Sequence, residues 1–485
     1  MRWLPAVAAL AVLVGTIPAA PREAPFWDTV VKLQVATNFA QGLGMIVGNK
    51  TPMDELYAHV GRDGRRYSYY PPLACLAWLP TYWLKRLGGP AMWALPTLLA
   101  LAGLAALLVA WARRLGIGPV AATAGALAAC FATTLWPSCT HEYDSIAEAL
   151  GLATLFWAAA GTRRRDWFIA GLALGACFCT RQTAAMLAVP ALVLIALQKP
   201  GGWHPILQRV ALVVAGGLPG LAATAAYNVY RWGSMFWLPG SEIPPAPFLS
   251  STYLLGVASL LVSPGKGLLW YSPPLIAVLA LLRPLAREWR APLLALAAWL
   301  GAYILLLART PHWPGEWCWG PRYLMGACVA IAPLTWWIVR WAADRAPKVR
   351  AAVACAGLAC VLLQSLAIAP RPLFVVRDLV VRPMIASGEY QTRPTWKQPA
   401  PADWGRLYWV PGNSAIAAQA RAVGRMLTGG DVPGPARLGD WALTLFAPLA
   451  AALALIAVRR GARLSSSPAP PSSGAGSASA AAPAP

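Results

Sequence analysis

Charged side chains are scarce in this chain: 12% of its residues are Asp, Glu, Lys or Arg, whereas 58% are hydrophobic. Soluble domains carry roughly a quarter charged residues, so the shortage excludes a large soluble protein. Acids are scarcer still, 18 against 40 Lys and Arg in 485 residues. Only four histidines occur, and no Cys-x-x-Cys pair, which removes the usual zinc and dithiol signatures. The nine cysteines do not form a disulfide framework either. Cys130, Cys177, Cys179, Cys328, Cys355 and Cys360 lie inside apolar runs, where a free thiol packs as a small hydrophobe. A link between Cys139 and Cys318, both near one rim of the expected topology, stays open. The formal charge of +22 is not gathered into a stripe or tail, so nucleic acid is not an expected partner.

What the chain does have is apolar runs of about 20 residues, each able to cross a bilayer core of about 30 Å. The expected fold is all-α and polytopic, with twelve spans near 3–20, 92–111, 118–136, 146–162, 167–180, 184–198, 210–228, 267–283, 292–308, 323–341, 351–369 and 441–458. Charge placement gives the orientation. With both termini cytoplasmic, the inner connections hold 18 basic residues, among them Arg113, Arg114, Arg163, Arg164, Arg165, Arg283, Arg340 and Arg459. The short outer connections hold 5: Arg181, Arg231, Lys266, Arg309 and Arg322. The first span has a rival reading as a cleaved signal peptide, because Met1-Arg2 precedes an apolar run ending in Pro18-Ala-Ala. The Ser-, Pro- and Gly-rich tail from 464 to 485 is expected to be disordered and cytoplasmic.

The few acids cluster on one side. Only Asp166, Glu288 and Asp344 fall on the inner face; the other 15, including Asp28, Glu142, Asp144, Glu148, Glu242 and Glu316, lie on the outer face or its rim. Transporters tend to place ionisable groups near the midplane, so this distribution points to a site worked at the membrane boundary. Three outer stretches stand out. The first reads Gly61-Arg-Asp-Gly-Arg-Arg-Tyr67-Ser-Tyr69-Tyr70-Pro71-Pro72-Leu73 and leads into an expected interfacial helix over 73–87. In it Trp78, Tyr82 and Trp83 suit the headgroup level, and Lys85 and Arg86 suit anionic lipid. The second is the loop Trp136-Pro-Ser-Cys-Thr-His141-Glu142-Tyr-Asp144. The third is a pair of short loops, Ser263-Pro-Gly-Lys266-Gly267 and His312-Trp-Pro-Gly-Glu316-Trp-Cys-Trp319-Gly-Pro-Arg322-Tyr323.

Taken together, these residues resemble the C superfamily of glycosyltransferases, and within it the bacterial protein O-mannosyltransferase and aminoarabinose-transferase type. The resemblance rests on an acid after the first span, a first external loop closing in Pro-Pro-Leu, and an acid in the second external loop. Thr180-Arg181, Ser-Pro-Gly-Lys-Gly and Trp-Gly-Pro-Arg-Tyr complete the set, which covers roughly residues 1–345. It implies a sugar on a polyprenyl phosphate as donor, moved with inversion at the extracytoplasmic face of the bacterial inner membrane. Asp28 matches the family's catalytic acid, and Asp144 the second-loop acid, with Glu142 a close rival. Two departures are plain. The Asp-Glu pair of the mannosyltransferases is Asp28-Thr29 here, and the Glu-Lys before the double proline of the aminoarabinose enzymes is Tyr69-Tyr70.

Chemistry supplies the remaining roles. An acceptor hydroxyl attacking an anomeric carbon needs a base within hydrogen-bond reach, which Asp28 at the exit of a span, beside Trp27, would provide. A phosphate leaving group calls for cations, and Arg322, Lys266 and Arg181 are the candidates. Trp27, Tyr69, Tyr70, His312 and Glu316 are expected to line the substrate, and Asp28 with Asp144 to hold a divalent metal, Mg or Mn, if one takes part. His141 and His312 read as interfacial side chains rather than ligands. The expected modules are a catalytic 1–345, C-terminal spans over 346–463 whose external loop at 370–440 shapes the acceptor site, and the tail. The acceptor is an envelope lipid, glycan or protein. Rival readings are a transporter or lipid-linked sugar flippase, which needs ionisable groups deep in the bundle, and a non-catalytic assembly partner in envelope synthesis.

Overall fold

The computed structural model describes residues 2–20, 27–48, 58–89, 92–141, 144–198, 202–236, 250–310, 313, 315, 318–368, 372–387, 408–432 and 442–466. Helices dominate; the described strands form one antiparallel ribbon, Ala58–Val60 against Arg66–Ser68, with His59 opposite Tyr67. A bilayer offers the backbone no hydrogen-bond partners, so the apolar runs become helices, whole or broken. Among the described residues six are long and apolar enough to cross a membrane: Leu95–Arg114, Trp203–Trp232, Leu282–Leu307, Arg322–Ala343, Pro347–Ser365 and Leu443–Arg460. Leu4–Thr16, Pro119–Phe131, Ile146–Ala159 and Gln182–Leu197 are apolar but shorter. The chain is an all-α polytopic membrane protein, and twelve spans were expected from its apolar runs. One expected span, 267–283, is split into Leu268–Tyr271 and Pro274–Ala280, because two consecutive prolines, 273 and 274, cannot continue the ladder.

Two other expectations change. The interfacial helix is two helices, Pro72–Leu76 and Leu79–Arg86; Pro80 lacks the N–H that a continuous helix needs there. Trp78 and Tyr82 are not at a headgroup surface but buried beside Leu33 and Ala36 of the helix Trp27–Ala40, whereas Trp83 stays exposed. That helix, in a segment read from sequence as loop, anchors the first outer segment on the bundle.

The main core is a large cluster with tryptophans at its contacts, and two smaller clusters lie within the first outer segment. In the main core Trp111 meets Trp336 edge-on at 4.8 Å, and Trp299 stacks on Tyr303 at 5.3 Å. Helices Arg164–Thr180 and Trp203–Trp232 approach so closely that a Cβ on Gly220 would lie 2.2 Å from the Gly175 carbonyl oxygen. Two of the three acids assigned to the inner face are paired. Arg114 donates twice to Asp166, at 2.8 and 3.2 Å, and lies 3.5 Å over the Trp157 ring, while Arg340 pairs with Glu288. All nine cysteines are free thiols, Cys139 and Cys318 included.

Candidate active site

Three segments distant in sequence meet in one polar cluster. The helix Trp27–Ala40 carries Lys32 one turn beyond residue 28, on the same helix face. The second outer loop ends in Asp144 and Ser145 and runs into the helix Ile146–Ala159, which has Glu148 in its first turn. Arg181 separates the helix Arg164–Thr180 from the 3-10 turn Gln182–Leu187, with an extended backbone at φ −147° and ψ 122°. That one extended residue ends the helix and brings its guanidinium to the outer loop.

The cluster alternates in sign. Lys32 Nζ donates to Asp144 Oδ2 at 3.0 Å, and Arg181 Nη1 to Asp144 Oδ1 at 2.9 Å. Arg181 Nη1 also donates to Ser145 Oγ at 2.8 Å. Its Nε lies 3.1 Å from Glu148 Oε1 and 3.3 Å from Thr183 Oγ1. Glu148 Oε1 accepts further from the Thr183 hydroxyl at 3.0 Å and the Tyr303 hydroxyl at 3.3 Å. The ends, Lys32 and Glu148, are 2% and 0% exposed, whereas Arg181 and Asp144 are 15% and 20% exposed. The open edge therefore belongs to Arg181 and Asp144. With Nε and Nη1 engaged, Nη2 of Arg181 is the donor left over among the described residues.

Aromatic rings border the cluster. Lys32 Nζ sits 4.1 Å from the Tyr70 ring centroid, and Tyr70 pairs with Tyr69 at 4.5 Å between centroids. On the other side, the Tyr323 ring lies 5.0 Å from both the Arg181 and the Arg322 guanidinium carbons, and Arg322 Nη2 donates to the Tyr323 hydroxyl at 3.1 Å. Where the aminoarabinose enzymes have a lysine beside the double proline, this chain has Tyr70, and the helix Trp27–Ala40 delivers Lys32 to that ring instead.

Electrostatics assign Asp144 a role. Burial works against its carboxylate, but the ammonium of Lys32 and the guanidinium of Arg181 outweigh it and hold its pKa far below the usual carboxylate range. A carboxylate so firmly ionised is a weak proton acceptor at neutral pH. Nor does it suit a metal: both oxygens already accept from cationic donors. No group of three His, Cys, Asp or Glu is arranged for a metal ion among the described residues.

Of the residues singled out from sequence, Asp144, Arg181, Arg322, Tyr69 and Tyr70 come together here. Lys266 is engaged elsewhere. It is 2% exposed, and its Nζ donates to the Cys318 carbonyl at 3.0 Å and the Gly320 carbonyl at 3.5 Å. It therefore braces the turn that presents Arg322, because a buried ammonium needs these acceptors. Asp28 and Trp27 lie in the first turn of a helix, with side chains outside the described residues; Glu142, His312 and Glu316 also lie outside them. Sequence reasoning missed Lys32, Glu148, Thr183, Tyr303 and Tyr323. A faint signal existed for two of them: Lys32 follows Asp28, and Glu148 follows Asp144, by four residues, one helical turn.

The late segment reaches the Lys266 loop. The Gly265 N–H donates to the Tyr408 carbonyl at 2.9 Å, Trp409 Nε1 to Ser259 Oγ at 2.8 Å, and the Ala415 N–H to the Tyr271 hydroxyl oxygen at 3.1 Å.

Comparison with known proteins bears on residues 71–230, which match the family described as Dolichyl-phosphate-mannose-protein mannosyltransferase. No curated protein matches the chain. Among solved structures, the chain is similar to the oligosaccharyltransferase of Archaeoglobus fulgidus in the apo form, with 12% identity and a TM-score of 0.41. The alignment covers 86% of this chain and 64% of that one. It is also similar to the oligosaccharyltransferase AglB of the same archaeon in complex with an inhibitory peptide and a dolichol-phosphate, with 11% identity, a TM-score of 0.40, and 86% and 63% covered. The chain thus spans less than two thirds of either relative's length. The stretch that matches the mannosyltransferase family model runs from the double proline, through Asp144 and Arg181, into the long helix Trp203–Trp232, and agrees with the resemblance to a membrane glycosyltransferase read from the motifs.

Proposed function

We propose that the chain transfers a sugar from a polyprenyl-phosphate donor to an envelope lipid, glycan or protein acceptor at the extracytoplasmic face of a bacterial inner membrane, with both termini cytoplasmic. The observation that carries the reading is the partly exposed Arg181, its Nη2 left over among the described residues, beside Arg322 and within the stretch that matches the family. Guanidinium donors suit phosphate oxygens, and two of them flanking Tyr323 form a receptive edge for a leaving lipid phosphate.

In this mechanism the acceptor hydroxyl oxygen attacks the anomeric carbon as the bond from that carbon to the phosphate oxygen breaks. The electron pair leaves with the polyprenyl phosphate, toward Arg181 and Arg322, and the hydroxyl proton passes to Asp28. Attack opposite the leaving group inverts the anomeric configuration. Asp144 stays ionised and fixes Lys32 and Arg181; it is not the base. Lys266 acts through the turn it braces. Residues 1–345 form the catalytic module, and the external loop within 346–463 shapes the acceptor side, which agrees with the contacts of Tyr408 and Trp409 to the Lys266 loop.

The test is mass spectrometry of envelope glycans with and without the gene, followed by transfer assays on purified protein with the donor so identified. A sugar modification that disappears with the gene and returns with wild type, but not with Arg181→Gln, is the expected result. An unchanged glycan profile would remove the reading.

A further inference from the structure

We propose that Glu148 is a positioning residue that aims Arg181 at an anionic ligand. The proposal rests on the reading of Arg181 as the donor-phosphate residue. Glu148 is wholly buried in the first turn of an apolar helix, and only Oε1 is used: it forms an ion pair with Arg181 Nε at 3.1 Å and accepts from the Thr183 and Tyr303 hydroxyls, while Oε2 is without a hydrogen-bond partner among the described residues.

A half-satisfied buried carboxylate is a poor device for stability. Burying the charge and leaving one oxygen unpaired are both costly, and an uncharged side chain of the same shape avoids the first cost. What the carboxylate achieves is geometric. A guanidinium is a planar fork of five donors. Asp144 and Ser145 accept from its Nη1, Thr183 accepts from its Nε with Glu148 Oε1 3.1 Å away, and these contacts fix the plane and leave Nη2 as the donor not engaged among the described residues. Without Glu148, Asp144 becomes the sole carboxylate on Arg181, and the fork is free to turn Nη2 inward onto Asp144 Oδ1. Thr183 and Tyr303 are the supports of Glu148, both donating hydroxyls to the same oxygen.

The test uses the purified full chain in detergent micelles with farnesyl phosphate as the anionic probe, binding being read by tryptophan fluorescence, with a melting temperature for each variant. Glu148→Gln is expected to weaken binding about tenfold, a fraction of a charged hydrogen bond, with the melting temperature unchanged or raised. Arg181→Gln is expected to weaken it more, and the double variant no further than Arg181→Gln alone. Should Glu148→Gln fail to fold, Glu148→Asp keeps the charge but withdraws it by about 1.5 Å, and is expected to weaken binding several-fold. Wild-type affinity in the folded Glu148 variant overturns the positioning role while Arg181→Gln still reports on the donor reading. Additive losses with a lowered melting temperature overturn it too, since they mark a merely structural part. Wild-type affinity in Arg181→Gln overturns the donor reading itself.

Discussion

On the proposed reading Asp28 is the base and Asp144 an ion-pair partner, and two substitutions test that division. Asp28→Asn keeps the size of the side chain but removes the basic oxygen; since general-base catalysis contributes roughly a hundred- to ten-thousand-fold, transfer by the purified variant should fall by about that much with insertion intact. Near-normal transfer would move the base elsewhere, Glu142 being next. Asp144 behaves differently with pH. Its folded pKa lies below its unfolded value, about 3.9, so its stabilising contribution is complete above about pH 5 and is lost only as pH falls through the lower folded value. Any acidic limb of the transfer rate above about pH 5 must then belong to another group and should persist in Asp144→Asn, scaled down but not shifted. Loss of the limb in that variant would contradict the ion-pair geometry. The same variant removes the carboxylate that lies 3.0 Å from the Nζ of Lys32, a side chain 2% exposed. A fully buried pair broken this way costs about 3–5 kcal/mol; because Asp144 is 20% exposed, a loss of roughly 2–3 kcal/mol is expected, seen as a lower melting temperature.

Among the elements, the pair Arg164–Thr180 and Trp203–Trp232 matters most to the site, because Arg181 hangs from the end of the first helix. Small residues let membrane helices approach closely, and Gly220 stands with its missing Cβ against the Gly175 carbonyl. Gly220→Ala should force the helices apart, destabilise by about 1–3 kcal/mol and weaken farnesyl phosphate binding through Arg181. Gly103→Ala, where a Cβ would meet nothing within 4 Å in the helix Leu95–Arg114, is the control and should be neutral or slightly stabilising. Equal melting temperatures for the two would refute the close-packing argument. The late segment is better probed by substitution than by deletion, because Tyr408, Ala415 and Ala418 belong to the buried core. Trp409→Phe, which removes the bond to Ser259, should raise the KM for acceptor several-fold and leave that for donor unchanged; an equal rise in both would detach this segment from the acceptor.

For the whole molecule, topology is the decisive expectation. The short connections assigned inside hold 18 basic residues and those assigned outside 5, so a reporter fused after Arg463 should be cytoplasmic and one fused near Gly388 external. A cytoplasmic signal at Gly388 would reverse the sidedness of the site. Breaks within the apolar runs were not legible from hydropathy. Hydropathy marks a run as apolar wherever Pro273 and Pro274, or the 3-10 turn from Gln182, break it, and only the backbone path shows the break.

The sequence by itself determined the membrane class and singled out Asp144, Arg181 and Arg322, which the fold brings close together. Those follow from local quantities: hydropathy over one helix length, charge at the ends of runs, and motifs a few residues long. Tertiary structure alone decided that Lys32 reaches Asp144 across 112 residues, that Glu148 pairs with Arg181, and that Lys266 donates to the carbonyls of the turn before Arg322. The physical reason is that a charged side chain near a membrane must find its partner in space. Lys32 reaches that partner from a helix folded out of an expected loop, and for Lys266 the partner is main-chain carbonyl oxygen, which has no signature in the order of the residues.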